Sequence, residues 1–327
     1  MRSALTLSLL TGQPFEMINI RANRRKPGLK RQHLTALHAA QRIGNAEVTG
    51  DELNATEISF APQGLQGGDY VFAVGTAGSA SRVLQTVLLA LTKADKPSRV
   101  VVQGGTHNDF APPYDFLAES WLPLLRKMGV EVESELIRPG FYPAGGGEMQ
   151  VTIKPCAALQ PIEINERIRI RGRRAVIKSA QLPERIAEQE LAEVMRHLGW
   201  DAREGMIEEM TESRGPGNVV LLKLILGTHT EVFSGFGRMG VPAKKVAGEA
   251  IRQVQTYLKT PRGSVSRRLA DQLLIPMAMA GGGSFRTGTV SKHTTTNAEV
   301  VQAFLDVAIE MTPYSSGWVE VQVSSRT

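Results

Sequence analysis

One cysteine in 327 residues, Cys156, excludes an internal disulfide. That scarcity fits a reducing cytoplasm, and a lone cysteine of this kind is expected to be a small core residue. No apolar run approaches the ~20 residues of a membrane span. The opening stretch Met1–Leu7 is apolar but soon meets Thr11, Gly12 and Pro14, and it reads as a short core helix rather than a secretion signal. None of the six histidines stands in zinc-ligand spacing. Gly281-Gly282-Gly283 is not followed by Gly-Lys-Ser/Thr, so there is no phosphate loop of the Walker type, and no G-x-S-x-G elbow occurs. Zinc hydrolases, P-loop nucleotidases and serine hydrolases of the elbow type are thereby disfavoured.

What is present is basic and glycine-rich in particular places. Net charge is +6, and residues 21–31, R-A-N-R-R-K-P-G-L-K-R, carry six cations and no acid. Pro27-Gly28 breaks that run with a turn that would project the charges, which suits phosphate. A solvated surface loop would read the same way. Gly140–Met149, G-F-Y-P-A-G-G-G-E-M, puts three glycines before the alternating strand Met149–Ile153. Such a run is either a plain hairpin or a place where a ligand or a second backbone comes very close.

Hydrophobic spacing divides the chain into related pieces. Arg31–Ile43 is a helix expected to end on a left-handed Gly44, followed by strand residues 46–48. Leu117–Met128, Gly129 and Val130–Val132 repeat the pattern. The second piece also holds a strand at Tyr70–Val74, a small-residue turn at Gly75–Gly78, a helix over Ser79–Leu91 and a strand at Ser98–Val102. Near the end, Leu269–Ala280, Gly283–Thr289, Asn297–Met311 and Trp318–Val323 predict helix, strand, helix, strand. In the first piece the matching first strand and turn would fall before residue 1. Between these pieces, residues 168–260 follow their own pattern. Strand-like Ile168–Arg171 leads, a helix opens at Pro183 and closes at Gly199, strands follow at Val219–Leu226 and Thr230–Ser234, and Val241–Leu258 forms a long helix. The expected organisation is mixed α/β, with residues 1–167 and 261–327 forming the body and 168–260 an inserted α/β domain.

Three groups of side chains could carry chemistry. His293, in V-S-K-H-T-T-T-N, lies between a strand and a helix that Asn297 could cap. Imidazole is a nucleophile near neutral pH, and the neighbouring hydroxyls and Lys292 suit phosphate oxygens. A solvated loop histidine is the ordinary alternative. Asp271 and Gln272 form an acid–amide pair at the opening of the preceding helix, able to read a purine or ribose, or simply to solvate a first turn. Gln85 lies in the helix after Gly75–Gly78, where a surface glutamine is ordinary.

Taken together, these segments resemble the RNA 3′-terminal phosphate cyclase family, over nearly the whole chain from R-S-A-L-T-L-S at Arg2 to the C-terminal strand. The most specific matches are T-G-Q-P-F at Thr11, R-x-x-R-x-K-P-G-L-x-R-Q-H-L over Arg21–Leu34, G-F-Y-P-A-G-G-G at Gly140, and L-A-D-Q at Leu269 with His293 downstream. The resemblance implies three repeated α/β units, each with two helices on a four-stranded sheet, plus a smaller insert resembling thioredoxin. It implies a cytoplasmic, ligase-class enzyme that uses ATP, assisted by magnesium or manganese, to turn an RNA 3′-phosphate into a 2′,3′-cyclic phosphate through a histidine–AMP intermediate. By position, His293 matches the nucleophile. Gln85, Pro112 and Arg268, Leu269, Ala270, Asp271 and Gln272 match the ATP site, and Arg2, Arg21, Arg24 and Gln32 match the phosphate and RNA site. No metal ligands can be assigned, and the oligomeric state stays open, a homo-oligomer included.

Three departures from the pattern bear on activity. The family's leading D-G-x-x-G-E-G-G-G-Q segment is not in this sequence, Arg268 stands where tyrosine is usual, and Pro139 precedes Gly140 where arginine or histidine is usual. Two alternatives therefore stand beside the enzyme: a non-catalytic cyclase-like protein of RNA processing, and a cyclase inactive through N-terminal truncation. A third, an enolpyruvyl-transferase-like enzyme of related repeats, is disfavoured by the insert and the basic block, which a small-molecule site does not need.

Overall fold

The computed structural model describes residues 1–326 except Phe110, Arg167, Ile168, Pro261 and Arg262. The expected domain edges at 167, 168 and 261, and the first residue of the strand expected at Ile168, lie outside the described residues. In chain order the elements are α1 (Arg2–Thr11), β1 (Phe15–Met17), α2 (Arg31–Gly44), β2 (Glu47–Thr49), β3 (Ile58–Ala61), β4 (Asp69–Ala73), α3 (Ala80–Leu91), β5 (Ser98–Gly104), the single turn α4 (Tyr114–Phe116), a π-helical turn (Leu117–Trp121), α5 (Leu122–Lys127), β6 (Val132–Arg138) and β7 (Gly147–Ile153). Then come β8 (Ile162–Ile164), β9 (Ile170–Ala180), α6 (Glu184–Leu198), β10 (Gly205–Glu209), β11 (Gly217–Leu226), β12 (Thr230–Phe236), α7 (Ala243–Lys259), α8 (Arg267–Met279), β13 (Gly282–Thr287), α9 (Lys292–Phe304), β14 (Val307–Tyr314) and β15 (Trp318–Ser325).

The fold is mixed α/β with four small sheets among the described residues. Two share one strand order and one set of directions. In β4-β5-β7-β6 the first pair is parallel and the others antiparallel, and β8-β13-β15-β14 runs the same way. A three-stranded antiparallel sheet, β1-β3-β2, follows the order of the last three strands of the others. The fourth sheet, β10-β9-β11-β12, lies within residues 170–236.

Helix α1 is apolar on nearly every side, and a helix of that kind must be enclosed. Ala4 through Leu9 are all buried, and Gly12 ends the helix at φ 73 by returning its N–H to Ser8. Helices α2 and α3 flank it, and α3 is buried throughout except for Arg82. A strand between two layers must point alternate residues to opposite sides. On the fourth sheet, Val176, Val219 and Leu221 join the large core, whereas Ala175, Ile177, Val220 and Leu222 join a second core beneath α6 and α7. Strands β9, β11 and β12 thus contribute one face of the fourth sheet to the large core. No helix among the described residues is long and apolar enough to cross a membrane.

Several local expectations are corrected. The predicted helix Asn297–Met311 begins earlier, at Lys292, and stops at Phe304; Val307–Tyr314 is the strand β14, paired along its length with β15. Asn297 does not cap α9, because Ser291 does so by accepting the Thr294 N–H, and Asn297 is buried inside the helix. Helix α8 starts at Arg267, so Asp271 and Gln272 stand in its second turn, not its first. Helix α2 ends on a left-handed Asn45 rather than Gly44. The stretch Leu117–Met128 is not one α-helix: Pro123 has no N–H for the carbonyl four residues back, and the chain widens into a π turn, with the Leu122 N–H reaching Leu117. Cys156 is only half-buried, with its sulfur against the Gly129 and Ala158 carbonyls.

The glycine run is explained by crowding. Gly140 and Gly147 face one another and the Gly104 backbone so closely that a Cβ on either would collide. Gly145, at φ +65, lies against Ala77 of the turn before α3.

Candidate active site

Three segments far apart in sequence meet at one guanidinium. Arg2, at the start of α1, donates to Gln85 Oε1 (3.3 Å), Gln272 Oε1 (2.8 Å) and Asp271 Oδ2 (3.2 Å). Gln85 Nε2 also donates to Gln272 Oε1 at 2.5 Å, and Gln272 Nε2 to Asp271 Oδ2 at 2.8 Å. Gln85 and Gln272 are buried; Arg2 and Asp271 keep about a fifth of their side-chain surface, 20% and 17%. The planar fork of arginine suits this job, since one group binds a carboxylate and two amides at fixed angles. Gln85 is therefore not the ordinary surface residue that its helical position allows.

Helix α8 is held in register from both sides. Asn297 Nδ2 donates to the Asp271 carbonyl (2.9 Å), and Ser3 Oγ donates to Asn297 Oδ1 (2.5 Å). The Trp121 indole donates to the Gln272 carbonyl (3.1 Å). His293 lies in the first turn of α9, exposed, four residues before Asn297 and so on the same face of the helix. Four residues of helix rise roughly 6 Å, which is within the span of a mononucleotide. The structure thus joins Arg2, Gln85, Asp271 and Gln272 directly, while His293 stands one turn before Asn297, whose side chain holds the Asp271 carbonyl.

Leu269 and Ala270 are buried and face the core. Pro112 is buried in the segment between β5 and α4. Arg268 lies at the near end of α8, half-buried, donating to Ser234 Oγ (3.1 Å) with its guanidinium 5.8 Å from the Phe116 ring centre. Burial, and then Arg82, push its pKa down to about 10.

The basic block is arranged differently from the expectation that all its cations face outward. Arg21, at φ 57, folds its guanidinium back onto the Lys26 and Gly28 carbonyls (3.0 and 2.9 Å) and so shapes the loop. Arg24 is exposed. Gln32 accepts the Ser79 N–H (2.9 Å) and ties α2 to the start of α3. A groove of about 450 Å³ runs along this seam, lined by Lys26, Lys30, Arg31, Gln32, Asn54 and Thr76.

Arg82 joins the two regions, and sequence reasoning passed it over. It stands one turn before Gln85 on α3, a spacing that could have drawn notice. Its pKa is lowered by burial and then by Arg2, against the pull of Asp271. His33 reports the same field from the other side. Burial first, then Arg21 and Arg82, hold its pKa near 4, in keeping with a ring whose Nδ1 accepts the Lys30 N–H (3.1 Å). Arg82 thus acts on His33 on one side and is acted on by Arg2 on the other, and it also repels Arg268, with Asp271 opposing its shift and Glu231 and Asp109 opposing that of Arg268.

Among the described residues no group of three or more histidine, cysteine, aspartate or glutamate side chains is placed to hold a metal ion. Asp271 is already engaged by Arg2 and Gln272. The described side chains do not build a protein-only magnesium or manganese site.

The family model for RNA 3′-terminal phosphate cyclase matches residues 1–311. A curated protein of that name from Pseudomonas fluorescens is 49% identical over 322 residues, covering 98% of this chain and 94% of the relative. One from Ectopseudomonas mendocina is 47% identical over 323 residues (99% and 94%). A third, from Salmonella typhimurium, is 44% identical over 324 residues (99% and 94%).

Proposed function

Since this chain belongs to the RNA 3′-terminal phosphate cyclase family, we propose that it converts an RNA 3′-phosphate to a 2′,3′-cyclic phosphate at the expense of ATP, with His293 as the nucleotide carrier. The observation that carries this reading is the exposed imidazole one helical turn from Asn297, which itself binds Ser3 and the Asp271 backbone.

In the first step a ring nitrogen of His293 attacks the α-phosphorus of ATP, a P–N bond forms and pyrophosphate leaves. The terminal RNA phosphate then attacks the same phosphorus, giving an RNA end capped by AMP through a phosphoanhydride and freeing the histidine. Last, the 2′-hydroxyl loses its proton and attacks the 3′-phosphorus, expelling AMP. Activation is required because a phosphate dianion is a poor electrophile without a good leaving group. Arg2, Arg82 and Arg268 supply the positive field in which triphosphate charge is bound and pyrophosphate released. Gln85, Asp271 and Gln272 hold the nucleotide, Pro112 packs near its base, and Arg24, Gln32 and the groove beside them take the RNA phosphates. In this reading residues 1–167 and 261–327 form the catalytic body and 168–260 an insert.

The test is incubation with ATP labelled in its α-phosphate. A phosphoramidate is labile in acid and stable in alkali, so a protein–AMP adduct with those properties should form and should vanish in His293→Ala. A folded protein that forms no adduct would favour the non-catalytic alternative.

A further inference from the structure

We propose that Glu231, on β12, is a positioning residue for the nucleotide site: together with Ser234 on the same strand it sets the start of α8 and the guanidinium of Arg268. The inference rests on the reading of α8 as nucleotide-binding, and it gives residues 168–260 a defined part in that site.

The argument begins with the helix cap. Ser266 caps α8 by accepting the Leu269 N–H on its hydroxyl (3.3 Å). In a complete capping box, the third helical residue is Glu or Gln and reaches back to the N–H of the capping residue itself. Here that residue is Leu269, which offers no acceptor. Glu231 takes the place instead, from another sheet: its Oε1 accepts the Ser266 N–H at 2.6 Å. A carboxylate there also meets the positive end of the helix dipole.

Glu231 is wholly buried, at 0% exposure. His229 Nε2 lies 3.2 Å from Oε1, while Oε2 has no hydrogen-bond partner. Burying a carboxylate with one oxygen unpaired is costly, and a fold that needed only a helix cap would be served by a neutral acceptor. The charge has a counterpart in Arg268, which Glu231 stabilises in its protonated form against burial and the repulsion of Arg82. Ser234 Oγ accepts from Arg268 Nη1 at 3.1 Å, and Phe116 lies against the same guanidinium. The strand therefore fixes α8 at the N–H of its capping residue and at the side chain of its second residue. Asp271 and Gln272 follow one turn later.

The experiment uses the full chain and three readouts: the ATP concentration for half-maximal adduct formation, the rate at which preformed adduct passes AMP to an RNA 3′-phosphate, and the unfolding temperature. Glu231→Gln keeps an oxygen for Ser266 but loses the charge. Ser234→Ala removes only the hydroxyl to Arg268 and serves if the first variant folds poorly. Each should raise the ATP requirement roughly tenfold, the scale of a hydrogen bond to a charged group. The transfer rate from preformed adduct should stay within about twofold of wild type, because that step no longer needs the triphosphate seated. Equal loss in both steps, or an ATP requirement unchanged in both variants, would overturn the proposal and leave Glu231 as a folding residue. Absence of any adduct in the wild type would instead sink the function proposed above.

Discussion

The indole of Trp121 donates to the backbone carbonyl of Gln272, 151 residues away, at 3.1 Å, and Pro276 explains why that carbonyl needs it. In an α-helix the Gln272 carbonyl would accept from residue 276, but proline has no N–H. The freed acceptor lies in a buried part of α8, where an unmatched carbonyl is expensive. The π turn over Leu117–Trp121 brings the indole to it. A proline that would otherwise weaken α8 thus becomes a docking point between two segments of the site.

Trp121→Phe should therefore cost about 1–3 kcal/mol, the usual penalty for stranding a buried acceptor. Pro276→Ala restores a helical donor to the same carbonyl, so the penalty of Trp121→Phe should shrink in that background. Urea unfolding of the four proteins of the cycle measures it. If the tryptophan substitution costs the same with proline and with alanine at 276, the two residues are not coupled through Gln272.

What was legible in the sequence was local. Alternation and caps gave α6 between Pro183 and Gly199, and the all-apolar character of α1 gave its burial. The end of α9 was not legible, because Val300, Val301, Phe304, Val307 and Met311 continue a helical spacing after the chain has turned extended at Leu305. Pairing with β15 decides that stretch, and pairing partners leave no local trace. At the site, His293, Asp271 and Gln272 could be picked out as chemistry-bearing residues. Their supports, Trp121, Asn297 and Glu231, could not. Each acts through a backbone atom of a distant segment, and any donor or acceptor of suitable reach would satisfy the same atom.

Arg2 is the next position with a sharp expectation. Its guanidinium reaches Gln85, Asp271 and Gln272 at once. Lysine keeps the charge but not the fork, and cannot hold two amides and a carboxylate in one plane. Arg2→Lys should raise the ATP concentration for half-maximal adduct formation by roughly tenfold or more, on the scale of losing a charge-assisted hydrogen bond. An unchanged ATP dependence would restrict Arg2 to anchoring α1.

Arg21 and Arg24 separate two roles within the basic loop. Arg24 is exposed, so Arg24→Ala should weaken RNA-end processing and flatten its salt dependence while adduct formation persists. Arg21 bonds the Lys26 and Gly28 carbonyls, so Arg21→Ala should in addition loosen the loop, seen as faster amide exchange over residues 22–30. Equal losses of both chemical steps in Arg24→Ala would move that residue to the ATP side.

Glu190 gives a pH dependence whose sign can be fixed. It is fully buried on α6, with Oε1 accepting from Asn218 Nδ2 at 2.5 Å and Oε2 unpaired. Burial lifts its pKa to about 7, against the opposing pull of the Asn218 bond. The folded protein then holds a proton that the unfolded chain releases near the ordinary carboxyl value, so the native state binds more protons in between. Stability contributed by the protonated form is complete in acid and is lost as pH rises through about 7. Asp115 has the opposite sign: burial opposes its charge, but His107, Lys178 and Lys223 hold its pKa below the ordinary range. Because Asp115 is common to both proteins, it cancels when wild type is compared with Glu190→Gln, which keeps the acceptor for Asn218 and cannot ionise. The difference in unfolding free energy between the two should shift toward the glutamine variant as pH is raised from 5 to 8. A difference that is flat across that interval would mean that Glu190 already ionises at its ordinary pKa in the folded chain, through solvent reaching Oε2.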